Sequence, residues 1–153
     1  MKPDEKVFVI VYRIKDNSLE LLALKPTPET NRSVADYVIT GGVEEYDDSY
    51  EDAALREVAE EIGIKSISII SLEYTIDYTD HITLKQYSEH CFGVKIDEEH
   101  IILNEEHIGY RWLNKDDFIH TIWWDYDKST LEQMIKIIET HENLTVATHN
   151  FKR

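Results

Sequence analysis

The chain has little cysteine, few basic residues for its acidity and no long apolar run. Its 153 residues include one cysteine, so no disulfide can form within the chain, which predicts a reducing, cytoplasmic location. Lys and Arg total 16 against 31 Asp and Glu, a formal net charge of −15. That charge argues against a sequence-independent grip on nucleic acid and against docking on an anionic membrane. No apolar segment is long enough to span a bilayer, and the charged N-terminus does not resemble a signal peptide.

The composition of the chain is that of one globular domain. Hydrophobic residues make up 42% and charged residues 31% of the chain, so wholesale disorder is not expected. The sequence has no internal repeat, low-complexity tract or linker. We expect a single domain over residues 1–140, followed by a frayed C-terminal tail over residues 141–153. Cys91 lies beside Phe92 and Val94 and is expected to be a small buried hydrophobe rather than a nucleophile.

Hydrophobic periodicity predicts strands, a helix, further strands and a second helix. The first helix begins near Ser49 and stops at Gly63, because serine caps helix N-termini and glycine tolerates the left-handed conformation at C-termini. The second covers residues 129–140, with Ser129 and Glu132 as a capping box. Strands are predicted over residues 7–14, 19–24, 37–39, 66–78, 82–96 and 108–113. This order favours a mixed sheet between helices.

A cluster of acidic side chains in the first helix is the most informative feature of the chain. Each helical residue advances by about 100°, so Glu57, Glu60 and Glu61 share one narrow stripe. A second stripe, nearly opposite, has the spacing of a core-facing surface and consists of Leu55, Val58, Ala59 and Ile62. Like charges at helical spacing repel one another. A hard divalent cation, which takes oxygen ligands, would turn that repulsion into binding.

The residues around this cluster resemble the Nudix box, the signature of the Nudix hydrolase family. The box reads Gly, five residues, Glu, seven residues, then Arg-Glu-aliphatic-x-Glu-Glu-x-Gly-aliphatic. Here Gly42 opens the box and Asp48 replaces its first glutamate. The remaining positions are filled by Arg56, Glu57, Val58, Glu60, Glu61, Gly63 and Ile64. An insertion of one residue after Glu45, with Gly41 as the first glycine, is an alternative register.

Two flanking stretches extend the resemblance. Residues 37–42 are similar to the aromatic, two residues and Pro-Gly-Gly that often precede the box, with Thr40 in place of proline. Residues 106–113 are similar to the Glu-His-x-x-Tyr-x-Trp-Leu stretch of two Nudix subgroups. One subgroup contains the dihydroneopterin triphosphate and dATP pyrophosphohydrolases. The other contains the asymmetric diadenosine tetraphosphate hydrolases. The Thr-Gly pair before the box resembles the dihydroneopterin triphosphate and dATP subgroup more.

The resemblance implies an α/β/α sandwich with a mixed β-sheet between helices, and a metal-dependent hydrolase. It implies that Arg56 orients the carboxylates by pairing with Glu60 or with Asp48, the supporting acid. The proton of the attacking water would go to Glu57 or to Glu106. The ligands of Mg²⁺ or Mn²⁺ would be Glu57, Glu60, Glu61 and the Gly42 carbonyl. Histidines, among them His107, are expected to be ordinary loop or strand residues rather than ligands.

The implied substrate is a small nucleotide or nucleotide-like polyphosphate. The preferred substrate class is a nucleoside or pterin triphosphate, cleaved to a monophosphate and pyrophosphate. The second choice is a dinucleoside polyphosphate. A Nudix-like domain that senses nucleotides without cleaving them is the alternative from another class. Many Nudix proteins are dimers, which leaves a homodimer as an open expectation.

Residues outside the box would contact this substrate. Lys25 would meet a phosphate, unless it is an ordinary solvated lysine. Tyr37 would stack on a base, unless it packs in the core. One of Trp123 and Trp124 would line the pocket. Selectivity is expected from loops at residues 25–36, 77–90 and 114–130.

Overall fold

The computed structural model describes residues 4–28, 35–65, 68–97, 100–124 and 127–144. Three strands, a helix, three strands and two helices follow one another, so the predicted order holds except for one additional helix. In chain order they are β1 Asp4–Lys15, β2 Ser18–Pro26, β3 Ile39–Gly42, α1 Tyr50–Ile62, β4 Ser68–Thr79, β5 Gln86–Lys95, β6 His107–Leu113, α2 Lys115–Thr121 and α3 Lys128–His141.

Strand β1 lies in the middle of the sheet and has an apolar run, residues 7–12, that is buried on both faces. It pairs in parallel with β5 and antiparallel with β2 and β3. The β1–β2 turn consists of Asp16 and Asn17, whose positive φ angles of 52° and 63° suit a tight hairpin turn. Strand β6 adds to the outer edge of β2, and β4 to that of β5, which gives the order β4-β5-β1-β2-β6 with β3 beside β1.

Helices cover both faces of this mixed sheet. One apolar cluster joins α1 to one face, through residues such as Val58, Ile62 and Ile39. The other joins α2 and α3 to the opposite face and includes Leu131, Met134, Ile135 and Ile138, the four apolar residues of α3 that are fully buried. The expected α/β/α sandwich is confirmed.

Several boundaries differ from the sequence predictions. Residues 114–130, predicted as a loop, contain α2, which Asn114 caps by accepting from the Asp117 N–H at 2.8 Å. The N-cap of α3 is Asp127, not Ser129. Strand β5 begins at Gln86, because Asp80 holds residues 80–85 in a turn by accepting from the N–H groups of residues 82 and 83.

The first residues of the predicted tail are attached to the domain. Glu142 accepts hydrogen bonds from Tyr12 Oη at 2.9 Å and Lys95 Nζ at 3.0 Å. Residues 145–153 lie outside the described residues. Cys91 is buried as predicted, and burial together with the Glu89 carboxylate raises the pKa of its thiol to about 12. In the described parts of the chain, no helix has both the length and the apolar content to cross a membrane.

Candidate active site

Helix α1 has well-defined ends. Ser49 accepts a hydrogen bond from the Asp52 N–H at 3.0 Å, and its extended backbone stops the helix from running further back. At the other end Gly63 adopts φ 71° and donates its N–H to the Ala59 carbonyl at 3.0 Å. Both ends were predicted, because serine and glycine are the residue types that such ends require. They fix which helical turn carries the glutamates.

Two of the three glutamates point between the helix and the sheet. Glu57 is 9% exposed and Glu61 is 4% exposed, whereas the Glu60 side chain keeps 52% of its surface. Ala59, predicted to face the core, is exposed, and Ala53 and Ala54 are buried in its place. The acidic stripe is therefore rotated toward the sheet compared with the prediction.

Glu57 and Glu61 are neighbouring carboxyl groups in a buried place. Burial raises the pKa of Glu57 to about 7, and the neighbouring Glu61 adds to this rise. Burial also raises the pKa of Glu61, although a hydrogen bond with His107 opposes the change. Both shifts have the same cause, since two adjacent buried negative charges are costly without a cation.

Arg56 is held by Asp47, not by Asp48. Its Nε lies 3.1 Å from Asp47 Oδ1 and its Nη2 lies 2.9 Å from Asp47 Oδ2. Its Nη1 reaches Glu57 at 3.1 Å and Glu60 at 3.3 Å, so the expected pairing with Glu60 is present. Asp48 is exposed, and the pairing with Arg56 expected of it is made by Asp47 instead. The hydrogen bond from Arg56 lowers the pKa of Asp47.

The two glycines that precede this loop have different neighbours. A Cβ added at Gly41 would overlap the Glu57 carboxyl group, whereas one at Gly42 would meet no atom within 4 Å. The Gly42 carbonyl accepts a hydrogen bond from Arg56 Nη2 at 2.8 Å, which uses one of its two lone pairs. Five residues separate Gly41 from Asp47, the spacing of glycine and acid in the Nudix box. The contacts favour Gly41 as the first glycine, with the extra residue after Asp47 instead of after Glu45.

Glu106, far away in sequence, lies beside Glu61. One ligand atom from each of Glu61, Glu106 and His107 lies within 4.8 Å of the other two. The chain before β6 is tied to the end of α1, where Asn104 N–H donates to the Glu61 carbonyl at 3.3 Å. Asn104 also accepts from the Glu106 N–H at 3.0 Å. The tertiary structure thus brings together the two acidic segments that the sequence singled out.

His107 belongs to this site and was missed. Its Nε2 lies 2.8 Å from Glu61 Oε1, with both side chains more than nine-tenths buried. The only signal in the sequence was its position next to Glu106 in a stretch that resembles the family. A histidine at the start of a strand gives no sign of which carboxylate it will meet.

The predicted substrate-binding residues lie near one end of β2. Lys25 is exposed in β2, opposite Gly109 of β6. Tyr37 bridges to Leu24 and stacks on Trp123, with ring centroids 6.0 Å apart and planes at 14°. Trp123 is 47% exposed. Trp124 instead packs edge-on against Phe8 at 5.3 Å in the core.

The donor set fits a hard divalent cation. Glu57, Glu60 and Glu61 offer carboxylate oxygens from one helix, and Glu106 offers another from the loop before β6. Oxygen ligands of this kind suit Mg²⁺ and Mn²⁺. The burial of Glu57 and Glu61 beside each other, which raises the pKa of both, marks a place where positive charge would be stabilising.

The family model described as NUDIX domain matches residues 3–134. The chain belongs to the Nudix family. A search of curated protein sequences found no match. Family and enzyme class, that of a Nudix pyrophosphohydrolase, are those that the Nudix box predicted.

Solved structures of other Nudix proteins share the fold. A C. elegans Ap4A hydrolase in a binary complex is 20% identical, with a TM-score of 0.72 over 90% of this chain and 98% of that one. The E. coli dihydroneopterin triphosphate pyrophosphohydrolase is 21% identical, with a TM-score of 0.68 over 87% and 97% of the two chains. The NUDIX domain of Shewanella oneidensis NrtR, in complex with ADP ribose, is 17% identical, with a TM-score of 0.70 over 90% of each chain.

Proposed function

We propose that this Nudix protein hydrolyses a nucleoside or pterin triphosphate to a monophosphate and pyrophosphate, with Mg²⁺ or Mn²⁺. One observation carries the proposal. Glu61, buried beside Glu57 on α1, lies next to Glu106 from a distant part of the chain, while Arg56 contacts Glu57 and Glu60 on the same helix.

The cation would be held by Glu57, Glu60 and Glu61, with the Gly42 carbonyl as the further ligand expected from the family. When bound, it would neutralise phosphate oxygens and lower the pKa of a bound water. Arg56 would keep Glu57 and Glu60 in place, since its guanidinium contacts both and is itself fixed by Asp47. That arrangement leaves Arg56 as a positioning residue for the ligand carboxylates.

Glu106 is the preferred base, because it is exposed next to Glu61 and can face a water on the substrate side. Its carboxylate would take a proton from water as the water oxygen attacks phosphorus. The bond from that phosphorus to the bridging oxygen would break, and pyrophosphate would leave. Glu57 is the alternative base. Lys25 would contact a phosphate of the substrate, and Tyr37 with Trp123 would contact its nucleobase.

A dinucleoside polyphosphate is the second candidate substrate. Support comes from the Glu106-His107 stretch, which both Nudix subgroups share, and from the Ap4A hydrolase activity named for the C. elegans relative. The cytoplasmic location and a homodimer stay predictions.

The direct test is a substrate panel with products identified by ³¹P NMR. Wild type, with Mg²⁺ or Mn²⁺ at mildly alkaline pH, should release pyrophosphate from a nucleoside or pterin triphosphate. Glu60→Gln should lose at least about 100-fold in kcat, while Glu51→Gln, on an exposed turn of the same helix, should stay within about twofold.

Other outcomes separate the alternatives. Preferred cleavage of diadenosine tetraphosphate to ATP and AMP would replace the first substrate class by the second. If calorimetry shows that a nucleotide binds but no product forms after long incubation, the proposed hydrolysis is wrong and the protein is a nucleotide sensor.

A further inference from the structure

The position of His107 is set by the backbone. His107 begins β6, opposite Pro26 of β2, and the strand register shifts between Lys25 and Pro26. Such an irregularity re-aims side chains at the end of a sheet. The preceding residue is also tied to the chain after β2, since the Thr27 N–H donates to the Glu106 carbonyl at 3.0 Å. The imidazole is therefore held against α1 by a fixed strand end.

The two ring nitrogens of His107 have different surroundings. Nε2 lies 2.8 Å from Glu61 Oε1, and the side chain is 8% exposed. Nδ1 is buried and has no hydrogen-bond partner among the described residues. A buried N–H group without an acceptor is rare and costly, whereas an acceptor atom without a donor is better tolerated. The hydrogen therefore belongs on Nε2, which donates to Glu61.

The same buried Nδ1 argues against His107 as a metal ligand. A histidine that binds a cation through Nε2 carries its hydrogen on Nδ1 and almost always donates it to a carboxylate, a carbonyl or water. In the described parts of the chain, no such acceptor lies at His107 Nδ1. The imidazole is thus arranged to act on Glu61 and not on the cation itself.

We propose that His107 is a positioning residue, which donates from Nε2 to one Glu61 oxygen and so turns the other toward the cation. This inference rests on the proposed function only in taking Glu61 as a ligand. Outer partners of this kind typically change metal affinity by about 10- to 100-fold when they are removed. The structure assigns that effect to a residue that is neither a ligand nor a base.

The first test measures Mn²⁺ binding by electron paramagnetic resonance without substrate, so its result does not depend on turnover. His107→Leu removes the donor and should weaken Mn²⁺ binding by about 10- to 100-fold. His107→Gln keeps an N–H near the position of Nε2 and should stay within about threefold of wild type. Equal affinity of His107→Leu and wild type, or equal loss in both variants, would overturn the proposal.

His90 supplies the matched control. It also pairs a histidine with a glutamate, Nε2 to Glu5 Oε1 at 2.6 Å, but it stacks on Tyr50 at the opposite end of α1. His90→Leu should leave Mn²⁺ affinity within about twofold. If His90→Leu weakens binding as much as His107→Leu, the effect is a general loss of stability and the proposal is wrong.

A second measurement uses the wild-type protein and does not depend on whether a variant folds. Long-range ¹H–¹⁵N NMR of the metal-free protein should show the hydrogen of His107 on Nε2. Addition of Mg²⁺ should leave it there. A hydrogen on Nδ1, or its transfer to Nδ1 when Mg²⁺ binds, would show that Nε2 acts as an acceptor or a ligand and would refute the assignment.

Discussion

Arg56 and Asp47 meet in a two-pronged ion pair, with Nε 3.1 Å from Oδ1 and Nη2 2.9 Å from Oδ2. Paired donors in a fixed plane give Arg a defined orientation as well as binding energy. The remaining nitrogen, Nη1, then faces Glu57 and Glu60. The loop before α1 thereby fixes the orientation of two candidate ligands.

Asp47→Ala should therefore impair the site, and Asp48→Ala should not. Without Asp47 the guanidinium is free to turn away, so kcat/KM should fall by about 10- to 100-fold and Mn²⁺ affinity should fall with it. The exposed neighbour Asp48 provides a control one residue away, expected within about threefold. Steady-state kinetics with Mn²⁺ titration measures both. The reverse order of the two variants would restore Asp48 to the supporting role.

Gly41→Ala should damage the site by overlap, not by loss of a group. The added Cβ would occupy the space of the Glu57 carboxyl, which must then move from its position beside Glu61. We expect at least about a tenfold loss of kcat/KM, since small displacements of catalytic groups have large effects. Gly42→Ala meets nothing within 4 Å and should retain activity within about threefold. Similar activities for the two variants would contradict this account.

The helix with its ends could be predicted, while the loop before it could not. Ser49 and Gly63 have strong local preferences, and the buried face of α3 follows a simple period. The choice of Asp47 over Asp48 depends on a turn in which Asp47 accepts from the Glu44 N–H at 2.8 Å. Two adjacent acids look alike to a spacing rule. The approach of His107 to Glu61, 46 residues apart, depends on how β6 joins the sheet, which no local pattern encodes.

Glu142 should contribute to stability although it was assigned to a frayed tail. Burial works against ionisation of Glu142, but hydrogen bonds from Lys95 and Tyr12 outweigh it and lower its pKa. A lowered carboxyl pKa gives stability that is present above the unfolded pKa and lost as pH falls through the folded one. Glu142→Gln should lower the free energy of unfolding by about 1 kcal/mol at pH 7 and by less in acid.

Urea unfolding at pH 7 and near pH 3.5 measures this difference. Glu132→Gln, an exposed position on the same helix, is the control and should change stability little. Tyr12→Phe should reproduce most of the loss at pH 7, because it removes the 2.9 Å hydrogen bond from the other side. An unchanged stability in Glu142→Gln would show that the end of α3 is not held by this carboxylate.

Glu57→Gln should stabilise the metal-free protein while abolishing its activity. The pKa of Glu57 is raised from 4.5 to about 7 by burial and by Glu61, so the unfolded state ionises first as pH rises. Below about pH 4.5 both states hold the proton and the group has no effect. Between about pH 4.5 and 7 the folded protein keeps a proton on Glu57 that the unfolded chain has lost. Above pH 7 the folded protein carries the unfavourable negative charge of Glu57 in full.

The free energy of unfolding in EDTA should therefore fall in wild type between pH 4.5 and 7, and less so in Glu57→Gln. Because one pKa unit corresponds to about 1.4 kcal/mol and Glu61 shares the effect, we expect the variant to be more stable by about 2 kcal/mol at pH 8. The two proteins should be nearly equal at pH 4.5. Mg²⁺ at pH 8 should stabilise wild type more than the variant, since the cation neutralises the charge that glutamine lacks. A variant less stable than wild type at pH 8 in EDTA would mean that the buried Glu57 is already compensated by Arg56 and needs no cation.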